Sequence, residues 1–278
     1  MLSGTRTTCS YCGVGCGIVV REHKGTLQVE GDPEHPVNRG MLCSKGRTLG
    51  YTISDKTDRI LYPRLRASRG HSQSRVTWDT ALNRAANVFK SITKKYGPDS
   101  VGFYVSGQLL TEEYYIVNKL TKGFIGTNNI DTNSRLCMSS AVTAQKMAFG
   151  EDCVPINYED IELADLYLIA GANPAWCHPI LFRRMEEKGE RVRKVVLIDP
   201  RKTDSASLAD LHLQLRPGTD VALYNAIARI LIEKGNIDSN FISNHTENYS
   251  TLEEAALSIS VREAAEICDL SASDIEKC

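Results

Sequence analysis

The sequence predicts an α/β chain: a small turn-rich domain at the N-terminus, then a mainly parallel sheet with helices on both faces. Three observations predict it. Cys9, Cys12, Cys16 and Cys43 fall in the first 43 residues among glycines and turn formers. From residue 77 onward, helical and strand periodicities alternate. The strands of that stretch read as near-continuous apolar runs, as they do when helices bury both faces of a parallel sheet.

Each element follows in order. GIVVR (17–21) and TLQVEG (26–31) flank His23-Lys24-Gly25 and read as a hairpin. The run DPEHPVNRG (32–40) is a turn cluster that delivers the fourth cysteine. A connecting segment between Asp55 and Pro63 marks the first boundary. Beyond it, Trp78, Ala81, Leu82, Ala85, Phe89 and Ile92 recur at helical spacing, and Gly97 is a natural stop. A strand over 100–105, a helix over 111–124 and an apolar helix over 139–149 follow. Next come a strand over 165–171, a helix over 179–189, strands over 194–199 and 211–215, and a helix over 220–235. The tail from Ser243 is polar and mixed. Ser271 with Asp274 three residues on resembles a helix start, so the chain is expected to stop inside a helix and to be the N-terminal portion of a longer protein.

Composition narrows the functional classes. The 278 residues allow one large or two small domains. With 42% hydrophobic and 24% charged residues, and 33 basic against 34 acidic, the chain has a net charge of −1. No uniform field attracts a phosphate backbone, which argues against a general nucleic-acid binder. No apolar stretch approaches the roughly 20 residues of a spanning helix, and the start has neither an h-region nor a twin-arginine pair. A cytoplasmic protein without membrane or nucleic-acid partners is expected. Nine cysteines, an odd count, favour reduced thiols used as ligands or nucleophiles over a disulfide framework.

The first four cysteines are spaced C-x2-C-x3-C-x26-C. Three thiolates so close together can bind three irons of a cubane, and a remote cysteine binds the fourth. Gly13, Gly15 and Gly17 suit such a wrap, because glycine takes unusual dihedrals and brings backbone N–H groups close to sulfur. The rival is a zinc site with four thiolates, although zinc motifs usually come as two separated C-x2-C pairs. An iron–sulfur cluster moves single electrons, so a second redox centre or a partner belongs nearby. Lys45, two residues after the last cysteine, is either a solvated lysine or a cation bridging the cluster to an anionic cofactor.

Cys137 sits in NNIDTNSRLCMSSAV (128–142), between a polar run with Asn133 and Arg135 and the start of an apolar helix. A helix N-terminus stabilises a thiolate, which suits a nucleophile or a soft-metal ligand. The plain alternative is a small buried hydrophobe, although packing does not explain Asn133 and Arg135. Two strand ends invite a nucleotide: Gly171 and Asn173 in LIAGAN (168–173), and Asp199 and Arg201 in LIDPRKTD (197–204). Ligands of doubly wound sheets bind beyond the carboxyl ends of the strands. No G-x-G-x-x-G is present, so the ordinary NAD fingerprint is missing. RPGTD (216–220) is a turn in which Thr219 would cap a long helix, whose N-terminus is an anion site. Plain turn chemistry explains each of these segments taken alone.

Together, CSYCGVGCG and NIDTNSRLCMSSAV resemble the N-terminal part of the molybdenum bis-molybdopterin guanine dinucleotide oxidoreductases, and within that group the bacterial assimilatory nitrate reductases. The resemblance covers essentially the whole chain. It implies a [4Fe-4S] domain over 1–58, then a Rossmann-like domain over 59–278 that binds molybdopterin guanine dinucleotide and is incomplete. By the resemblance, Cys9, Cys12, Cys16 and Cys43 hold the cluster, Lys45 lies between cluster and pterin, and Cys137 is the thiolate ligand of molybdenum. Gln108 and Asn133 fall where the family contacts the pterin. The loop from Ala170 to Cys177, Asp199 with Arg201, and Gly218, Thr219 and Asp220 fall where it holds the guanine dinucleotide. Cys153, Cys177, Cys268 and Cys278 match no ligand position.

The implied reaction removes one oxygen atom from nitrate and releases nitrite, and two electrons with two protons convert that oxygen to water. Electrons enter one at a time through the cluster, from a ferredoxin, a flavodoxin or an NADH-linked reductase. In the similar formate dehydrogenases a histidine follows the metal-binding cysteine or selenocysteine and manages the substrate proton. Here that position is Met138, a thioether that cannot. A non-catalytic iron–sulfur electron-transfer subunit is the other alternative, and Cys137 with its polar neighbours argues against it.

Overall fold

Thr, Ile and Val residues at both ends of the cysteine run set the first architecture, because such residues pack well on a pleated surface. The computed structural model describes residues 4–187 and 193–278, which divide into two compact units, Met1–Ile156 and Asn157–Cys278.

The first unit opens with an antiparallel sheet in the order β1 (Thr5–Thr8), β2 (Gly17–His23), β3 (Thr26–Gly31). The expected hairpin is β2–β3. Strand β1 is an addition, and its pairing of Thr8 with Gly17 turns residues 9–16 into a hairpin loop. Val14, Cys16, Ile18, Val19 and Leu42 are buried around it. Two short helices, α1 (Ser44–Arg47) and α2 (Leu49–Ser54), follow Cys43, and the connecting segment leads to a small ribbon, β4 (Arg64–Leu65) with β5 (Ser74–Arg75).

Helix α3 (Trp78–Tyr96) starts where Thr77 accepts a hydrogen bond from the Thr80 N–H, and ends at Gly97. Its apolar stripe has no buried residue: Trp78 is 62% and Leu82 61% exposed. A 3-10 turn (Pro98–Ser100) shortens the expected strand to β6 (Phe103–Val105). Helix α4 (Thr111–Asn118) widens into a π-helix over Lys119–Ile125, so the helix expected over 111–124 carries a changed register in its second half. Strand β7 (Ile130–Thr132) pairs parallel with β6, and α5 (Ser134–Cys137) and α6 (Ser139–Phe149) follow.

The second unit runs α7 (Asp160–Leu163), β8 (Leu166–Ala170), α8 (Pro174–Cys177), α9 (Pro179–Glu186), β9 (Lys194–Ile198), β10 (Leu211–Leu213) and α10 (Asp220–Glu233). The last positions of the helix expected over 179–189 lie outside the described residues. The sheet is parallel, in the order β10-β9-β8. The polar tail is helical too: α11 (Ser239–His245), α12 (Tyr249–Leu257), α13 (Val261–Cys268) and α14 (Ala272–Lys277). Ser271 caps α14, as its spacing predicts, by accepting the Asp274 N–H at 3.0 Å. Leu213, Leu223, Ala226, Ala264, Cys268 and Ile275 form a core at 0–1% exposure. Burying a leucine or isoleucine so fully stabilises by roughly 1.5–3 kcal/mol. The parallel strands thus come as two groups, a pair in the first unit and a trio in the second.

Candidate functional site

The loop between β1 and β2 brings three of the clustered cysteines together, and α1 follows the fourth. The Cys9 N–H donates to the Cys16 carbonyl at 2.8 Å, which closes the loop on itself. Of the three glycines, only Gly15 uses a left-handed backbone, at φ +74°. Gly17 is required for space instead, because a Cβ there would overlap the His35 ring. Gly13 has neither constraint.

Burial pushes the Cys9 thiol up. The Tyr11 backbone N–H and Lys45 pull it down, and Cys12 and Cys43 push it further up. Burial, with Cys12, Cys9 and Cys43 nearby, pushes Cys16 up to about 12. The four sulfurs therefore share one electrostatic environment. Thiolates held close together repel one another unless cationic metal sits among them. Among the described residues, no three His, Cys, Asp or Glu side chains converge as they would on a single metal ion. A cubane binds one thiolate per iron and spreads its ligands around four metals, so this donor set fits a cluster better than a single zinc. Lys45 lies on α1 and is exposed.

The second group forms where β6 and β7 end side by side. Ser106, Gly107 and Gln108 leave β6, and Asn133 to Cys137 leave β7, so Gln108, Asn133 and Cys137 gather at the carboxyl edge of one parallel pair. The Gly107 N–H donates to Asn133 Oδ1 at 2.6 Å, which ties the two loops. Arg135 Nε donates to Asp131 Oδ2 at 2.9 Å. The Thr132 N–H and then Arg135 hold the Asp131 carboxyl below its ordinary range. Both polar neighbours of Cys137 therefore have hydrogen-bond partners within the two loops. Cys137 itself is exposed, which removes the buried-hydrophobe reading. It ends the single turn of α5, and α6 begins two residues later.

In the second unit the three expected nucleotide loops follow β8, β9 and β10 and share one edge of the sheet. After β8, the Gly171 N–H donates to the Ile198 carbonyl at 2.8 Å, and Asn173 Oδ1 accepts from the buried Ser205 hydroxyl at 2.7 Å. After β9, the buried Asp199 accepts the Arg201 N–H at 2.8 Å, and Arg201 is exposed. After β10, Thr219 stands at the N-cap of α10, but its hydroxyl donates to the Arg216 carbonyl at 2.6 Å and does not cap the helix. The exposed Arg201 side chain brings a positive charge to this edge, and α10 begins here with Asp220 in its first turn.

Sequence reasoning missed two features. Trp176, 65% exposed, is held by its indole N–H to Asp204 at 2.6 Å beside the β8 loop. Asn38, fully buried in the turn cluster, bonds to the Gly17 backbone just after the cysteine loop and to the Met41 carbonyl just before Cys43. An asparagine among turn residues reads as turn chemistry, and no local signal separates the two. Of the remaining cysteines, Cys268 lies in the core and donates to the Thr219 carbonyl at 3.5 Å.

Comparison with known proteins matches nearly the whole chain. Residues 59–271 match the molybdopterin oxidoreductase family, and residues 2–55 match the molybdopterin oxidoreductase Fe4S4 domain. The chain is 47% identical over 243 residues to a nitrate reductase of Klebsiella oxytoca, covering 86% of this chain and 27% of that protein. It is 37% identical over 264 residues to the F420-dependent formate dehydrogenase subunit alpha of Methanocaldococcus jannaschii, covering 94% of this chain and 38% of that one. Among solved structures, acetylene hydratase from Pelobacter acetylenicus superposes with a TM-score of 0.82 at 26% identity, over 98% of this chain and 38% of that chain. The chain therefore spans well under half the length of these relatives. No helix among the described residues is long and apolar enough to cross a membrane.

Proposed function

We propose, from the premise that this chain belongs to the molybdopterin oxidoreductase family, that it serves the reduction of nitrate to nitrite in nitrate assimilation. The observation that carries this reading is Met138 directly after the exposed Cys137. A thioether neither takes nor gives a proton, so the site suits oxygen removal from nitrate and lacks the proton-handling imidazole of formate oxidation. Nitrate reductases among the relatives support it, at 47% and 43% identity. Formate oxidation is the second reading, favoured by the formate dehydrogenase relative at 37%.

When bound, molybdenum on molybdopterin guanine dinucleotide supplies oxygen-atom chemistry, and a [4Fe-4S] cluster supplies electrons singly. Cys9, Cys12, Cys16 and Cys43 hold the cluster. Lys45 would offer its ammonium to the pterin, and Cys137 would give its thiolate to molybdenum. Gln108 and Asn133 contact the pterin from the paired loop ends. Gly171, Asn173, Asp199, Arg201, Gly218, Thr219 and Asp220 receive the guanine dinucleotide. Residues 1–58 act as the cluster domain and residues 59–278 as the dinucleotide domain. The electron donor is a ferredoxin, a flavodoxin or an NADH-linked reductase. The nine free thiols suit the reducing cytoplasm.

The test is turnover by the holoenzyme with each substrate. Nitrite formation from nitrate with reduced viologen, without oxidation of formate by oxidised viologen, is the expected result. Formate oxidation without nitrate reduction contradicts the reading.

A further inference from the structure

We infer that Asn38 positions Cys43 against the other three cysteines, and so decides whether the fourth iron is held. The inference rests on the reading of these thiols as a cluster site. Asn38 is fully buried, and its carboxamide spans two ligand segments. Its Oδ1 accepts the Gly17 N–H at 2.7 Å, and its Nδ2 donates to the Gly17 carbonyl at 3.0 Å. The same Nδ2 donates to the Met41 carbonyl at 2.9 Å. Gly17 directly follows Cys16, and Met41 stands two residues before Cys43. Both amide protons and the carbonyl are thus committed to the backbones that carry the third and fourth cysteines.

Other contacts make this latch specific. The Met41 N–H donates back to the Asn38 carbonyl at 2.7 Å, and the Asp32 N–H donates to the Gly17 carbonyl at 3.0 Å. Leu42, between Met41 and Cys43, is buried. A turn stabiliser would bond only to its near neighbours, whereas two of the three side-chain bonds of Asn38 reach across 21 residues. Cys9, Cys12 and Cys16 keep their spacing through the closed hairpin loop. Cys43 has no such covalent neighbour among the ligands, and Asn38 is a side-chain link between its segment and the residue that follows Cys16. Asn38 touches no reacting atom and acts through Cys43, as a positioning residue.

The experiment reconstitutes the whole chain anaerobically with ferrous iron and sulfide, then measures iron per chain, the EPR signal and the rate of iron loss to a chelator. Asn38→Asp keeps the acceptor for the Gly17 N–H and removes the amide donors. It should lose iron about 10–100-fold faster than the wild type, the usual effect of removing an outer-shell partner, and should yield the EPR signature of a three-iron cluster. Cys43→Ser should give the same signature, and Asn38→Asp should add nothing in that background, because both act on one iron. Should Asn38→Asp fail to fold by circular dichroism, Asn38→Gln carries the test. It keeps the amide, shifts it by one methylene, and should show the same loss to a smaller degree. Chelator rates equal to wild type, or effects of Asn38→Asp and Cys43→Ser that multiply, overturn the inference. A wild-type chain that binds no four-iron cluster overturns the reading of the thiols themselves, which is a separate result.

Discussion

The cysteine hairpin and the Cys137 turn both present sulfur, and they are built in opposite ways. In the hairpin, a buried asparagine, a strand pair and a short apolar core of Val14, Ile18 and Leu42 close around four thiols that influence one another. At the Cys137 turn, one exposed thiol stands between Leu136 at 78% and Met138 at 42% exposure, held by two hydrogen-bonded polar neighbours. Contacts within residues 5–43, some of them 21 residues apart, close the first group. The second has its loops in order, and α3, α4, α5 and α6 bury no residue.

The comparison breaks first at a ligand. Cys12→Ser should abolish the broad visible absorption and the reduced-state EPR signal of the reconstituted chain, because a cubane lacking one of its four thiolates is poorly held. Unchanged spectra would remove Cys12 from the site. The next largest effect separates the two sulfur sites. Cys137→Ala in the holoenzyme should lose nitrate reduction while the iron–sulfur EPR signal stays, and near-normal turnover would return Cys137 to a structural role.

Packing sharpens the same contrast. Ile18→Ala, at 1% exposure, should destabilise the hairpin by about 2–5 kcal/mol, whereas Leu136→Ala, at 78%, should stay within about 0.5 kcal/mol. Hydrogen exchange at the Val20 and Cys137 amides reads both, and equal losses would contradict the closed and open descriptions. The smallest effect is at Lys45. Lys45→Met should slow electron transfer between cluster and molybdenum by about tenfold with both cofactors bound; loss of cofactor would make the lysine a structural contact.

Much of this was legible in the sequence where chemistry and period coincide. The spacing of Cys9, Cys12, Cys16 and Cys43 marked one group of residues, and two strand ends and one turn marked the loops at Gly171, Asp199 and Gly218. What was hidden depends on contacts distant in sequence. Strand β1 forms because Thr5–Thr8 finds β2 across the cysteine loop, and four threonine and arginine residues carry no alternation that signals a partner. Asn38 looks like any turn residue until Gly17 is seen against it. Thr219 stands at the expected cap position, but its hydroxyl finds a nearer carbonyl. The π-helix after Asn118 keeps an apolar pattern that reads as ordinary α-helix.

The central claim is that the four N-terminal thiols hold a four-iron cluster and not a single ion. Metal and acid-labile sulfide analysis of the anaerobically reconstituted chain tests it most directly. Four irons and four sulfides per chain, lost together in Cys12→Ser, is the result predicted. One zinc per chain with no bound sulfide would contradict it.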